Sequence, residues 1–198
     1  MGAAVDLHWI PLGAGGHVVR LNGCAFEALA AALARRPRAD LFHAALVVEV
    51  DGARHTIEVA PSPDGQGEAR GVVATGPVGA RPLGRLRLFR YEVRCWRDGD
   101  VPDLAHAVGA PWRLTTDPVV ARRVLALVAQ VPTPVWGRDQ LRAGEMWNSN
   151  SVVAWALARA GLPVEVVPMP PGGRAPGWHA GIAVARRGGA THRQGGCT

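Results

Sequence analysis

The chain contains no lysine: all 22 of its basic residues are arginine. Isoleucine occurs three times and tyrosine once, while glycine (25) and proline (16) are plentiful. That is the amino-acid usage of a GC-rich coding sequence, and the net charge of +6 follows from it. The arginines are scattered, and the closest pairs (Arg35 and Arg36, Arg122 and Arg123, Arg186 and Arg187) are ordinary solvated features, so a nucleic-acid partner is not expected. Three cysteines, Cys24, Cys95 and Cys197, form no CxxC pair. Their odd number and spacing exclude a zinc ribbon and a stapled secreted scaffold, and a reducing cytoplasm is the expected setting. No segment approaches the roughly 20 uninterrupted apolar residues of a membrane span, and the first residues lack the basic and apolar regions of a signal peptide.

What is present is enough apolar sequence for one core: 48% hydrophobic and 19% charged over 198 residues, with no repeat or low-complexity linker to divide it. Val5 to Ile10 alternates as an edge or half-buried strand. Asn22 can cap a helix from about Ala25 to Arg36, with Phe26, Leu29, Ala30 and Leu33 on one face and Pro37 ending it. His43 to Val50 and Arg54 to Ala60 flank Asp51-Gly52, a hairpin turn signal. Pro61 to Gly67 reads as a loop, Gly71 to Thr75 and Arg85 to Trp96 as strands, and Asp103 to Val108 as a helical turn. Asp117-Pro118 opens a helix whose Val120, Val124, Leu127, Val128 and Val131 form an apolar stripe. Val164 to Val167 and Trp178 to Ala185 read as the last strands. The sum is an α+β fold: an antiparallel or mixed sheet of five to seven strands with segregated helices.

The helix from about Asn150 to Ala160, stopped by Gly161 and Pro163, differs from the others. It is apolar almost all round, with Arg159 its only charge, so the fold must enclose it. Its entry carries Asn148, Ser149, Asn150 and Ser151, although only one of them is needed as N-cap. Free N–H groups and the positive end of the helix dipole would stabilise an anion formed there.

The hairpin supplies a base. With Asp51-Gly52 as a two-residue turn, Val50 faces Ala53, Ala45 faces Glu58 and His43 faces Ala60. His43 and Glu58 then share a face as diagonal neighbours, about 7–8 Å apart at the backbone. A carboxylate so placed orients an imidazole and stabilises its protonated form. His55, opposite Val48, points to the other face and reads as a surface histidine.

His43-Ala-Ala-Leu-Val-Val-Glu-Val-Asp-Gly followed by Thr56-Ile-Glu-Val-Ala-Pro61 resembles the histidine-bearing hairpin of the permuted papain-like superfamily, which includes lecithin retinol acyltransferase. Asn148-Ser149-Asn150-Ser151-Val152-Val153 is similar to the helix that carries that family's nucleophilic cysteine. The match covers residues 43–61 and 147–161. The resemblance implies a single permuted papain-like domain over 1–198: an N-terminal strand and helix (1–42), the sheet (43–96), then helices and last strands (97–198). It implies acyl chemistry on an amide, ester or thioester, with Ser149 as nucleophile, His43 as base, Glu58 as orienting group and N–H groups near Ser149 as oxyanion donors. Asn148 and Asn150 would position substrate. Serine stands where the family has cysteine, and an alcohol must lose its proton during attack, whereas a thiol can be ionised beforehand. Two functions follow: a hydrolase or acyltransferase of a small-molecule, peptide or lipid acyl substrate, or a catalytically silent binding module that kept the cleft.

Rivals remain within the sequence. Cys24 precedes a helix and is followed by His43 and Glu58 in the conventional papain order, which would make a thiol peptidase. His179 in Trp178-His-Ala-Gly-Ile-Ala-Val offers a second histidine strand. Residues 170–178 form a Pro/Gly-rich segment without the ending of a phosphate loop; it reads as a flap over the Ser149 entry with Arg174 open to an anion. Trp136, Trp147 and Trp178 fall on turns or helix entries, where Trp147 and Trp178 could line a pocket. His8, His17, His106 and His192 lack ligand spacing, and no metal or organic cofactor is called for.

Overall fold

Asp51 and Gly52 both take positive φ, 56° and 74°, the type I′ geometry that lets two strands meet through two residues without splaying. They join β2 (Asp40–Val50) to β3 (Ala53–Pro61). Val50 faces Ala53 and His55 faces Val48, the register read from the turn. The computed structural model describes residues 2–14, 17–61, 71–99 and 102–190; most of the expected 61–67 loop, and Cys197, lie outside them.

Around this hairpin stands a seven-stranded sheet ordered β4-β5-β3-β2-β1-β6, with β7 paired to β2 off that path. The remaining strands are β1 (Ala4–Pro11), β4 (Val72–Pro77), β5 (Arg90–Arg97), β6 (Trp112–Thr115) and β7 (Gly173–Arg174). The β7–β2 pair is parallel and every other pair antiparallel. Among the described residues four α-helices complete the α+β fold: α1 (His17–Leu33), α2 (Pro118–Val128), α3 (Ser149–Arg159) and α4 (Trp178–Ala190). Among the described residues no helix is long and apolar enough to cross a membrane.

The period-two pattern gives the sheet two unlike faces. Val5, Leu7 and Trp9 of β1, Phe42 to Val50 at alternate positions of β2, Ile57 of β3 and Tyr91 and Val93 of β5 join one apolar cluster with α2 and α3. The opposite face carries Asp6 and His8, His43, Thr56 and Glu58, and Glu92 and Arg94.

Several expectations change. β1 is an interior strand, because the short β6 pairs with its far side. The expected strand from Arg85 begins only at Arg90; before it stand two 3₁₀ turns, Arg81–Arg85 and Arg87–Phe89. Val164–Val166 is a 3₁₀ turn after Pro163, and Val166 is exposed. Trp178 to Ala185 alternates small and apolar residues as a strand would, yet it is the start of α4. Trp178, Ile182 and Ala185, at helical spacing, are buried in the core. Helix α1 begins at His17, so Asn22 lies inside it, and it ends at Leu33 before Arg35 at φ 51°. Its stripe of Phe26, Leu29 and Leu33 stays exposed, while Glu27 and Ala31 are buried. Helix α2 opens as expected, Asp117 Oδ1 accepting from Val119 N at 2.7 Å.

Candidate functional site

The entry of α3 is built by its own side chains. Asn148 is the N-cap, its Oδ1 accepting from Asn150 N at 3.0 Å and Ser151 N at 3.3 Å. Ser151 Oγ accepts from Asn148 N at 3.1 Å, closing a capping box, so that two first-turn donors are satisfied without water. The fully buried Ser151 hydroxyl also donates to Gly177 O at 2.8 Å. Asn148 Nδ2 donates to Pro176 O at 2.9 Å. The 170–178 segment is thus fastened to the helix entry, and at β7 to β2; it is no free flap.

Asn150 then fastens α3 to the histidine strand. The β2–β3 ladder ends at Leu46–Ile57, so the expected pairs Ala45–Glu58 and His43–Ala60 do not form part of it. Beyond that point other groups occupy the vacated edge of β2. Asp40 N donates to Gly172 O at 3.2 Å. Asn150 Nδ2 donates to Phe42 O at 3.0 Å and to Pro176 O at 3.0 Å, and Asn150 Oδ1 accepts from Ala44 N at 2.8 Å. The carboxamide therefore holds the backbone on both sides of His43. Ser149, one residue before this clamp, is partly exposed, as are His43 and Glu58.

His43 and Glu58 do share a face. Leu46 and Ile57 are paired and point into the core, so His43, three residues before Leu46, and Glu58, one after Ile57, point the other way. β3 stays paired to β5 here, Glu58 facing Arg94 and Ala60 facing Glu92. Arg94 is almost wholly buried, and its Nε and Nη2 donate to Glu92 Oε2 at 3.0 and 2.9 Å. The alternation Tyr91, Glu92, Val93, Arg94, Cys95 places this guanidinium opposite the apolar face of β5, but only the fold shows that it is buried. On the same face burial pushes the His8 imidazole below its usual value, against the pull of Asp6. His55 points away from His43's face as expected, but that is the core face: it is half-buried, with Nδ1 enclosed and without a hydrogen-bond partner, and is not the expected surface group.

Most of the residues expected to bind substrate are engaged in the framework. Trp147 is 1% exposed and Trp178 4%. Trp178 Nε1 donates to Val164 O at 3.3 Å, and its ring lies 5.1 Å from that of Trp9. The Trp136 ring packs at a tilt against that of Tyr91, centroids 5.0 Å apart. Asn148 and Asn150 are consumed by the cap and the clamp. The Arg174 guanidinium is held by Glu27 at 3.1 Å. The oxyanion donors shrink as well: the N–H groups of Asn150 and Ser151 point at Asn148 Oδ1, leaving that of Ser149 itself.

The rivals fare differently. His179 is exposed on helix α4, so the second histidine strand does not exist. Cys24 lies inside α1 and not at its start, so its thiol has no helix N-terminus beside it. It lines an open cavity of about 750 Å³ together with Pro11, Leu12, Glu27, Phe42 and Val108. Among the described residues no group of three His, Cys, Asp or Glu side chains converges on a metal position. Comparisons with family models, with curated proteins and with solved structures return no match.

Proposed function

We propose that this chain carries out acyl transfer or hydrolysis on an amide, ester or thioester, with Ser149 attacking, His43 accepting its proton and Glu58 orienting the imidazole. The observation that carries the reading is the Asn150 clamp, which ties the residue after Ser149 to both neighbours of His43. The clamp sets the helix entry at the open edge of the strand that carries the base; His43 points to the sheet face opposite the one α3 packs on, so the reading requires its ring to reach the alcohol around that edge. The Ser149 N–H is the donor for a developing oxyanion. The chain order, a histidine strand before a nucleophile-bearing helix, resembles that of the permuted papain-like superfamily.

The test is covalent labelling of the intact protein by a serine-reactive fluorophosphonate. Labelling should occur, disappear in Ser149→Ala, and slow by roughly 10²–10⁴-fold in His43→Ala, the usual worth of a general base. Labelling that survives Ser149→Ala would sink the assignment.

A second reading is a silent binding module with the same cleft. It is favoured by the capping box, which turns two of the three first-turn N–H groups toward Asn148 and away from a substrate. A correctly folded protein that resists the fluorophosphonate supports this reading instead.

A further inference from the structure

The connection between β4 and β5, at one end of the sheet, reads Val78-Gly-Ala-Arg-Pro-Leu-Gly-Arg-Leu-Arg-Leu-Phe89. From Gly71 to Tyr91 the chain has four arginines (Arg81, Arg85, Arg87 and Arg90) and no acidic residue. Three leucines of this short segment stand out of the core: Leu83 is 36% exposed, Leu86 57% and Leu88 70%. Arg81, Arg85 and Arg87, interleaved with them, are exposed too.

The segment is not a loose loop. Its two 3₁₀ turns are closed by Leu86 N to Leu83 O at 2.9 Å and Phe89 N to Leu86 O at 3.0 Å, and Val78 N donates to Phe89 O at 2.7 Å. Arg90, pointing back, donates to Gly84 O at 2.5 Å and to Arg85 O at 3.0 Å. A Cβ at Gly84 would stand 2.8 Å from Pro77 Cβ, so the turn rests directly on the end of β4. These bonds hold the backbone in place, and the leucine and arginine side chains are what is offered outward.

We infer that this segment docks the protein on an anionic phospholipid surface. Guanidinium groups meet lipid phosphates while leucine side chains enter the boundary of the acyl layer, the division of labour found in interfacial segments. The charge is complementary, since nothing acidic in the segment opposes an anionic layer. A fluid headgroup layer accepts alternating leucine and arginine tips without the matched pockets that a folded partner must supply. A polyanion such as RNA would reward the arginines but not the exposed leucines.

The test is co-sedimentation of the full chain with vesicles of phosphatidylcholine and phosphatidylserine (7:3) and with pure phosphatidylcholine. Sedimentation should require phosphatidylserine and weaken with salt. Replacing Arg85 and Arg87 with glutamine should weaken it roughly 30-fold, at about 1 kcal/mol per arginine. Replacing Leu86 and Leu88 with serine should weaken it more than about tenfold, since each buries apolar area on docking. Because these side chains are exposed, the variants should fold, which circular dichroism verifies. Failure to sediment, equal sedimentation with the neutral vesicles, or unchanged sedimentation of the variants overturns the inference. Binding of an RNA that is indifferent to the leucine replacements, without vesicle binding, also overturns it.

Discussion

Asn150 and Ala44 are separated by 106 residues, yet the Asn150 carboxamide oxygen accepts the Ala44 N–H at 2.8 Å in a buried setting. With its Nδ2 on Phe42 O, the same side chain stands where a neighbouring strand would otherwise pair. Asn150→Ala leaves both backbone groups of β2 without partners and empties a buried site. Unpaired buried groups of this kind cost about 1–3 kcal/mol each. A loss of roughly 2–4 kcal/mol is therefore expected, read as a lower urea midpoint at unchanged slope. A loss below about 0.5 kcal/mol would mean that the clamp does not hold α3 to β2.

Ser149 and Ser151 stand two residues apart and should behave oppositely. The Ser151 hydroxyl closes the capping box and donates to Gly177 O while fully buried. Ser151→Ala should cost about 1–3 kcal/mol. Ser149 takes no part in that network, so Ser149→Ala should shift stability by no more than about 0.5 kcal/mol. Thermal denaturation of the two variants side by side gives the answer. Equal destabilisation would assign Ser149 a structural role and remove the reason to treat it as the reacting group.

The legible part of this fold is the part governed by local rules. Asp51-Gly52 specifies its own turn, and the turn fixes the register that puts His43 and Glu58 on one face. Asp117-Pro118 and Asn148 announce helices α2 and α3 because caps satisfy backbone donors within a few residues. The illegible part depends on distant partners. Nothing near Trp178 says that Ile182 and Ala185 will meet α3, so small-residue alternation reads as a strand. Asn148, Asn150, Trp147 and Trp178 look like site residues because polar and aromatic side chains cluster there. Whether such a group faces a cleft or the framework depends on Phe42, Ala44, Val164 and Pro176, which come from other parts of the chain.

Glu27 gives the acid limb of stability a specific origin. The hydrogen-bonded Arg36 guanidinium pulls its carboxyl from the ordinary 4.5 down to about 2; burial opposes this, and the Ala39 N–H and Arg174 add to it. Since the folded carboxyl is more acidic than the unfolded one, its contribution is complete above about pH 4.5 and drains away as pH falls toward 2. Urea midpoints measured at pH 7, 4 and 2.5 should fall less steeply for Glu27→Gln than for the parent chain. The variant should already be weaker at pH 7, because Arg36 and Arg174 lose their common carboxylate. Parallel pH profiles would show that this cluster does not couple α1 to the rest of the fold.

Gly181 lies on α4 where that helix crosses α3. A Cβ built there would lie 2.2 Å from Ser151 O and 2.9 Å from Ala154 Cβ. The first of these is backbone, fixed by the capping box, so the helices must part. Gly188, further along α4, would place a Cβ 3.7 Å from Arg159 Nη1, the movable end of a long side chain. The helix-forming advantage of alanine over glycine is nearly the same at both positions, about 0.5–1 kcal/mol. Gly188→Ala should therefore be neutral or stabilising. Gly181→Ala should lose roughly 1–3 kcal/mol from overpacking and also disturb the entry of α3. Calorimetry on the pair isolates the close approach from helix propensity. If Gly181→Ala instead raised the melting temperature, α4 would not lie against α3 at that distance, and the support of the Ser149 entry by Gly177 would have to be abandoned with it.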